Sequence, residues 1–270
     1  MTRTVLAIGG SDPTGGAGIQ ADIKTLTMLG VYAAAAITCV TVQNSHGVAA
    51  IQTLDPELVA AQIRAVLDDH HVYQVKIGMV GSAPIARAIG ESLDGFEGDI
   101  VYDPVLNSTT GQDLMEKSGL DLLKKELLRR TTVLTPNLPE LARLTGTDGS
   151  LDVRQAATDL LDGSDSLQAV IVKGGHYPGQ QIEDSFFCRK NEKIHRISIT
   201  HHKIKTANTH GTGCTFASAL AAYLCLGCSR EQAFRKTVAL LQHLLDRSAD
   251  KRIIRHQDGC GPMLHSTGIS

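Results

Sequence analysis

At 270 residues the chain is long enough for one large domain or two small ones with a substantial core. Its 42% hydrophobic and 20% charged residues are ordinary for a globular enzyme, and a formal net charge of -2 gives no electrostatic reason to expect nucleic acid or an anionic membrane as partner. The N-terminal apolar run is too short for a signal peptide, no stretch approaches the ~20 apolar residues of a membrane span, and six scattered cysteines suggest reduced thiols, so a cytoplasmic location is expected.

In chain order, residues 4–8 predict a short strand, and Gly9-Gly10-Ser11-Asp12-Pro13-Thr14-Gly15-Gly16 a glycine-rich loop. A helix over 17–29 follows, with Ile19, Ile23 and Leu26 on one inward face and Gly30 as its stop. Residues 32–42 predict a strand whose nearly unbroken apolar character implies burial on both faces. After the break at Asn44-Ser45-His46-Gly47, residues 48–54 suit a short strand at the sheet margin. Asp55-Pro56 opens a helix to about 68 with Leu58, Ile63 and Leu67 inward. Strands over 74–77, 100–102, 132–135 and 167–173 then alternate with helices over 82–93, 114–130, 138–144 and 152–161. Residues 186–199 break the pattern with two strand-like runs joined by a charged turn, and helices over 214–226 and 230–248 close the chain.

Strands alternating with helices imply an α/β fold, a mainly parallel sheet covered on both faces. Ligands bind such sheets beyond the carboxyl ends of the strands. Asp12, Gln43, Met79, Asp103, Asn137 and Lys173 each stand just after a predicted strand, so they should gather along one edge of the sheet.

The turn Asn208-Thr209-His210-Gly211-Thr212-Gly213-Cys214 runs straight into a small-residue helix. Its amides and the positive helix end would hold an anion or the charge of a transition state. Cys214 sits on that first turn, where a thiol pKa is typically lowered; the alternative is a glycine-rich cap with an inert small hydrophobe. The loop at 9–18 lacks the Gly-Lys-Ser/Thr ending of a P-loop and the GxGxxG dinucleotide register, which disfavours an oxidoreductase; it suits close approach of a small substrate to the main chain. Asp103 and Glu140 are hard oxygen donors suited to Mg2+ unless they are merely a cap or a surface charge. Lys173 could reach a phosphate, or snorkel to solvent. Together these parts match what phosphoryl transfer requires. Cys225-Leu-Gly-Cys228 has no second metal-ligand pair at the right spacing and reads as structural, with Gly227 and Ser229 as helix caps; the His70-His71 and His201-His202 doublets read as solvated loop or strand-edge residues.

The ordered set Gly9 to Asp12, Gly15 to Thr25, Val42-Gln43-Asn44, Lys76 to Met79, Asp103-Pro104-Val105, Thr135-Pro136-Asn137, Glu140, Val172 to His176, Thr209 to Thr215, and Gly259 to Pro262 with His265 is similar to one family over nearly the whole chain. It resembles the hydroxymethylpyrimidine/phosphomethylpyrimidine kinases of thiamine biosynthesis, within the ribokinase-like superfamily. The resemblance implies a three-layer α/β sandwich, with one kinase domain over 1–265 and a short tail over 266–270. It implies ATP as co-substrate, Mg2+, and phosphorylation of 4-amino-5-hydroxymethyl-2-methylpyrimidine and then of its monophosphate.

Carried over by position, Gln43 would bind the aminopyrimidine edge, and Gly10, Asp12, Ala17, Val42, Met79 and Val105 would line the substrate pocket. Cys214 would take the hydroxyl proton, with the amides of Gly211, Thr212 and Gly213 holding the transferring group. Asn137, Lys173 and Thr212 would serve the nucleotide, and Asp103 and Glu140 the metal. Sugar kinases of this superfamily carry Asp where Cys214 stands, and a thiolate available near neutral pH would keep the role. A homodimer is expected by resemblance alone. The chain departs from the family pattern at Leu106 to Gly111 and at Pro13-Thr14, beside the expected pocket. A pyridoxal or pyridoxine kinase is the alternative. A non-catalytic module on the same fold would be expected to have lost Cys214, Lys173 or Asp103.

Overall fold

The structure is a computed structural model and describes residues 2–106, 117–147, 150–175, 179–255 and 259–268. Nine strands form one sheet: β1 (Thr4–Ser11), β2 (Tyr32–Asn44), β3 (Gly47–Thr53), β4 (Val72–Ile77), β5 (Asp99–Tyr102), β6 (Val133–Leu134), β7 (Ala169–Val172), β8 (Gln181–Lys190) and β9 (Lys193–His202). Eight α-helices accompany them: α1 (Gly18–Met28), α2 (Pro56–Asp69), α3 (Ala83–Ser92), α4 (Lys117–Leu127), α5 (Leu138–Thr145), α6 (Val153–Asp162), α7 (Thr212–Cys225) and α8 (Arg230–Ser248).

The strand order is β3-β2-β1-β4-β5-β6-β7-β8-β9. From β2 to β7 every neighbour is parallel, while β3 at one margin and β8 and β9 at the other are antiparallel. From β1 the chain goes first to β2 on one side and later returns to β4 on the other. The crevice beyond the carboxyl ends of β1 and β4 is therefore the switch point of the sheet.

Alternation along β1 shows how two cores share one strand. Leu6 and Ile8 join the cluster containing Ile63, Ile85, Leu123, Leu141 and Leu161, which covers the face carrying α2 to α6. Val5 and Ala7 join the opposite cluster with Ile19, Leu26, Phe216, Leu220 and Phe234, from α1, α7 and α8. Helix starts are fixed by local chemistry. Asp55 accepts the Glu57 and Leu58 amides before Pro56, and capping boxes join Asn137 to Glu140 and Ser229 to Gln232.

Several expectations need correction. Ile23 and Leu58 keep helical spacing but lie outside the core, 38% and 52% exposed, because each sits on the shoulder of its apolar stripe. The strand at 32–42 is not buried on both faces: its register with β1 ends at Val40, beyond which it pairs with the short margin strand β3, and Val40 and Val42 are 45% and 61% exposed. The helix expected over 114–130 is α-helical over Lys117–Leu127 and tightens to a 3₁₀ turn at Leu128–Arg130, while 114–116 lie outside the described residues. Strands expected over 132–135 and 167–173 shrink to Val133–Leu134 and Ala169–Val172.

The two runs expected within 186–199 are the longer hairpin β8–β9, whose tight turn places Asn191 and Glu192 at φ of 50° and 60°. All six cysteines are free, and Gly227 and Ser229 act as caps. Among the described residues no helix is long and apolar enough to cross a membrane.

Candidate active site

Beyond the carboxyl ends of the parallel strands lies a cavity of about 1230 Å³. Asp12, Gln43, Met79, Asp103, Asn137 and Lys173 all line it, as do Gly10, Ala17, Val105, Glu140, Gly211, Thr212, Gly213 and Cys214. Val42 does not. Side chains alternate along β2, so Thr41 and Gln43 face the cavity and Val42 turns to the exposed side. Asn107 to Gly111, where the sequence departs from the family pattern, and His176 lie outside the described residues.

At the switch point the walls are main chain. A side chain at Gly10 would press into Cys39 Sγ at 2.8 Å and Met79 Sδ at 3.2 Å. Gly211 has a φ of 86°, and a Cβ there would strike the Gly16 carbonyl at 1.8 Å. Glycine at 211 lets the Gly211–Cys214 turn touch the first loop, and glycine at 10 lets the end of β1 lie against Cys39 and Met79.

The charged end is built on two strand ends and a helix cap. Lys173 Nζ lies 2.5 Å from Asp103 Oδ1 and 4.0 Å from Glu140 Oε2. Asp103 also accepts from Thr135 Oγ1 at 3.1 Å, and Glu140 Oε2 accepts the Asn137 amide at 2.8 Å. Asn137 thus spends its side chain on the helix cap, accepting the Glu140 amide. A Cβ on Gly213 would sit 3.4 Å from Lys173 Nζ and 3.5 Å from Asp103 Oδ2, so the anion-holding turn faces this cluster directly.

Burial alone would lower Lys173, but Asp103 and Glu140 outweigh it and raise the ammonium above the ordinary lysine range. Burial pushes Glu140 up to about 7, with Asp103 adding to the shift and Lys173 opposing it. A folded-state pKa raised above the unfolded value contributes stability below the unfolded value, near 4.5, and loses it as pH rises through about 7. Without divalent cation, the melting temperature of the wild type is therefore expected to fall between pH 5 and 8 by more than that of Glu140→Gln, which keeps the capping oxygen. Parallel slopes in the two melting series would remove Glu140 from this titration.

Beneath Cys214 lies a fully buried ion pair. Lys76 Nζ donates to both Asp22 oxygens at 2.8 Å, and Ser218 Oγ, one helical turn after Cys214, donates to Asp22 Oδ1 at 2.7 Å. The lowered thiol pKa expected for Cys214 is not what the structure gives. Burial pushes the thiol up to about 11, against the opposing pull of Lys76 and of the Gly18 amide. A helix end is a partial charge only, and desolvation of a thiolate this deep exceeds it.

Asp12 lines the cavity, as expected. Its carboxylate faces its own loop, accepting from the Thr14 and Ala17 amides, the Thr14 hydroxyl and His210. Burial would raise it, but those hydrogen bonds, His210 foremost, hold it down at about 2. His201 is no solvated doublet residue: its Nε2 pairs with Asp184 Oδ2 at 2.9 Å and both line the cavity. Asp184 also accepts the Gly174 amide at 2.8 Å, so the hairpin β8–β9 clamps the turn that carries Lys173.

Sequence reasoning assigned no role to Asp22, Lys76, Asp184, His201 or His210. The signal for Asp22 and Lys76 was a charged residue on an otherwise apolar face of α1 and of β4.

A family model for phosphomethylpyrimidine kinase matches residues 12–262. The chain is 41% identical over 269 residues to the hydroxymethylpyrimidine/phosphomethylpyrimidine kinase of Rhizobium meliloti (strain 1021), covering 98% of this chain and 97% of that one. The crystal structure of phosphomethylpyrimidine kinase from Clostridium difficile 630 superposes with a TM-score of 0.76 at 33% identity, over 90% of this chain and 99% of that one. Pyridoxal kinase from Staphylococcus aureus in complex with AMP-PCP and pyridoxal superposes with a TM-score of 0.83 at 29% identity, over 98% and 94% of the two chains. The fold is therefore that of the ribokinase-like vitamin kinases, and the chain belongs to the phosphomethylpyrimidine kinase family.

Proposed function

We propose that this enzyme uses ATP to phosphorylate the 5-hydroxymethyl group of 4-amino-5-hydroxymethyl-2-methylpyrimidine, and then the resulting monophosphate, in thiamine biosynthesis. The observation that carries the reading is one cavity with two chemically distinct ends. Gly10, Gln43 and Met79 line an end suited to a small heterocycle, and Lys173, Asp103, Glu140 and the Gly211–Cys214 turn form a charged end.

Phosphoryl transfer needs positioning and charge stabilisation more than covalent help from the protein. Lys173 would neutralise nucleotide phosphates and the amides of Thr212 and Gly213 would hold the transferring group, a reading supported by their closeness in one cavity. Cys214, which lines the same cavity, would stand beside the acceptor hydroxyl. Its raised pKa makes it a thiol in the free enzyme, so any proton it accepts follows charge movement at the site rather than resting ionisation.

Asp103 and Glu140 suit Mg2+ of the phosphate-bound kind, which takes one or two carboxylates and keeps its waters, and the raised pKa of Glu140 marks a buried acid short of positive charge. Such an ion would supply charge neutralisation between the phosphates. No cluster of three or more acidic, histidine or cysteine ligands exists among the described residues, so an all-protein metal cage does not fit. A single kinase domain over 1–265, a homodimer and a cytoplasmic location belong to the same reading.

The test offers the hydroxymethylpyrimidine, its monophosphate and pyridoxal side by side with ATP and Mg2+. Turnover of both pyrimidines to the diphosphate supports the proposal; phosphorylation of pyridoxal alone overturns the substrate while keeping the charged end.

A further inference from the structure

A hydrogen-bond chain links the first loop to the heterocycle end of the cavity. His210 Nε2 lies 2.8 Å from Asp12 Oδ2 and 3.0 Å from the Gln43 side-chain atom placed as Nε2. Thr41 Oγ1 lies 3.3 Å from the other branch of that amide and 3.0 Å from the Ser11 carbonyl. The ring of His210 is packed on the first loop, where a Cβ at Gly16 would meet its Cδ2 at 2.4 Å.

Counting protons along this chain leaves one arrangement. Asp12, ionised and accepting from Thr14 and Ala17, has no hydrogen to offer, so His210 Nε2 must donate to it. A ring nitrogen that carries its hydrogen cannot accept one, so the Gln43 amide, placed with Nε2 against His210 and Oε1 against Thr41, is to be turned by 180° to put its carbonyl oxygen against His210, the two branches being alike in shape. The amide nitrogen then turns to Thr41 Oγ1, which gives its own hydrogen to the Ser11 carbonyl and has lone pairs to spare. The single Nε2 hydrogen of His210 is shared between Asp12 and the Gln43 oxygen, and Gln43 keeps one N–H for the cavity.

We infer that His210, held by Asp12, is a specificity-determining positioning residue that commits Gln43 to offering a hydrogen-bond donor to the bound ring. The substrate class so selected is a neutral heterocycle presenting an unprotonated ring nitrogen beside an exocyclic amine. A ring whose nitrogen carries hydrogen at that position meets donor against donor. Without His210 the amide rotates freely and serves either ring. This deepens the pyrimidine reading above and rests on it.

The experiment compares the 4-amino substrate with its 4-oxo analogue, in which the neighbouring ring nitrogen carries hydrogen. Wild type is expected to prefer the amino compound by at least about 100-fold in kcat/KM. His210→Leu is expected to shrink that preference to within about 10-fold, chiefly through KM for the oxo compound, whereas His210→Gln, which retains an N–H donor, preserves it. Titration calorimetry with both ligands, without ATP, reads the same preference independently of turnover, and melting curves report folding. Where His210→Leu does not fold, Asp12→Asn carries the test, because it frees His210 from the obligation to donate. An unchanged preference in the folded variant overturns this inference alone. A wild type that neither binds nor turns over the amino compound overturns it together with the function it rests on.

Discussion

Lys76→Met is expected to destabilise the protein by about 3–5 kcal/mol, the usual cost of leaving one member of a buried ion pair without its partner. Lys76 and Asp22 are 1% and 0% exposed, so each charge depends chiefly on the other, although both border the active-site cavity. For a chain of this length the loss corresponds to a fall of roughly 10 °C in melting temperature. Asp22→Asn combined with Lys76→Met is expected to recover part of it, because Asn still accepts from Ser218 and no isolated charge remains. Thermal melts of the single and double variants decide the matter. A single variant within about 1 kcal/mol of wild type would mean that water reaches the pair.

The largest effect on turnover is expected from Cys214→Ala, a loss of about 10²- to 10⁴-fold in kcat with the fold intact. The position tolerates alanine structurally: α7 is a small-residue helix in which Ala217, Ala219, Ala221 and Ala222 are already buried. Chemically it does not, because Cys214 lines the cavity beside the anion-holding turn and above a permanently charged ammonium. Steady-state kinetics with the hydroxymethylpyrimidine, alongside a melting curve, check both halves. Wild-type turnover in this variant removes the thiol from the mechanism.

Most of the architecture was legible because it rests on short-range signals. Alternating apolar runs, proline and glycine punctuation and the caps at Asp55, Asn137 and Ser229 each act within a few residues. The gathering of strand-end residues at one edge followed from the α/β rule, and all six named for it line the cavity. What failed depended on neighbours distant in sequence. The exposure of Val42 comes where β2 outruns β1 and lies beside only the margin strand β3, which apolar composition cannot report. Cys214 was judged from its helix terminus, but the depth of the surrounding protein decides its protonation. Asp12 lines the cavity as expected, but its partnership with His210, 198 positions away, could not be read from its own surroundings in the sequence.

The longest of these links has a consequence for synthesis. Asp12 and His210 are separated by 198 positions, and Asp22 and Ser218 by 196, whereas Asp22 and Lys76 are only 54 apart. At ordinary ribosomal speeds the first loop emerges about 10–40 s before the histidine that organises it. For that interval the ion pair can already close within the nascent chain, while Asp12 stays hydrated and Gln43 remains free to rotate. Recognition of the ring is thus the last property the growing polypeptide acquires, well after most of its sheet has been made.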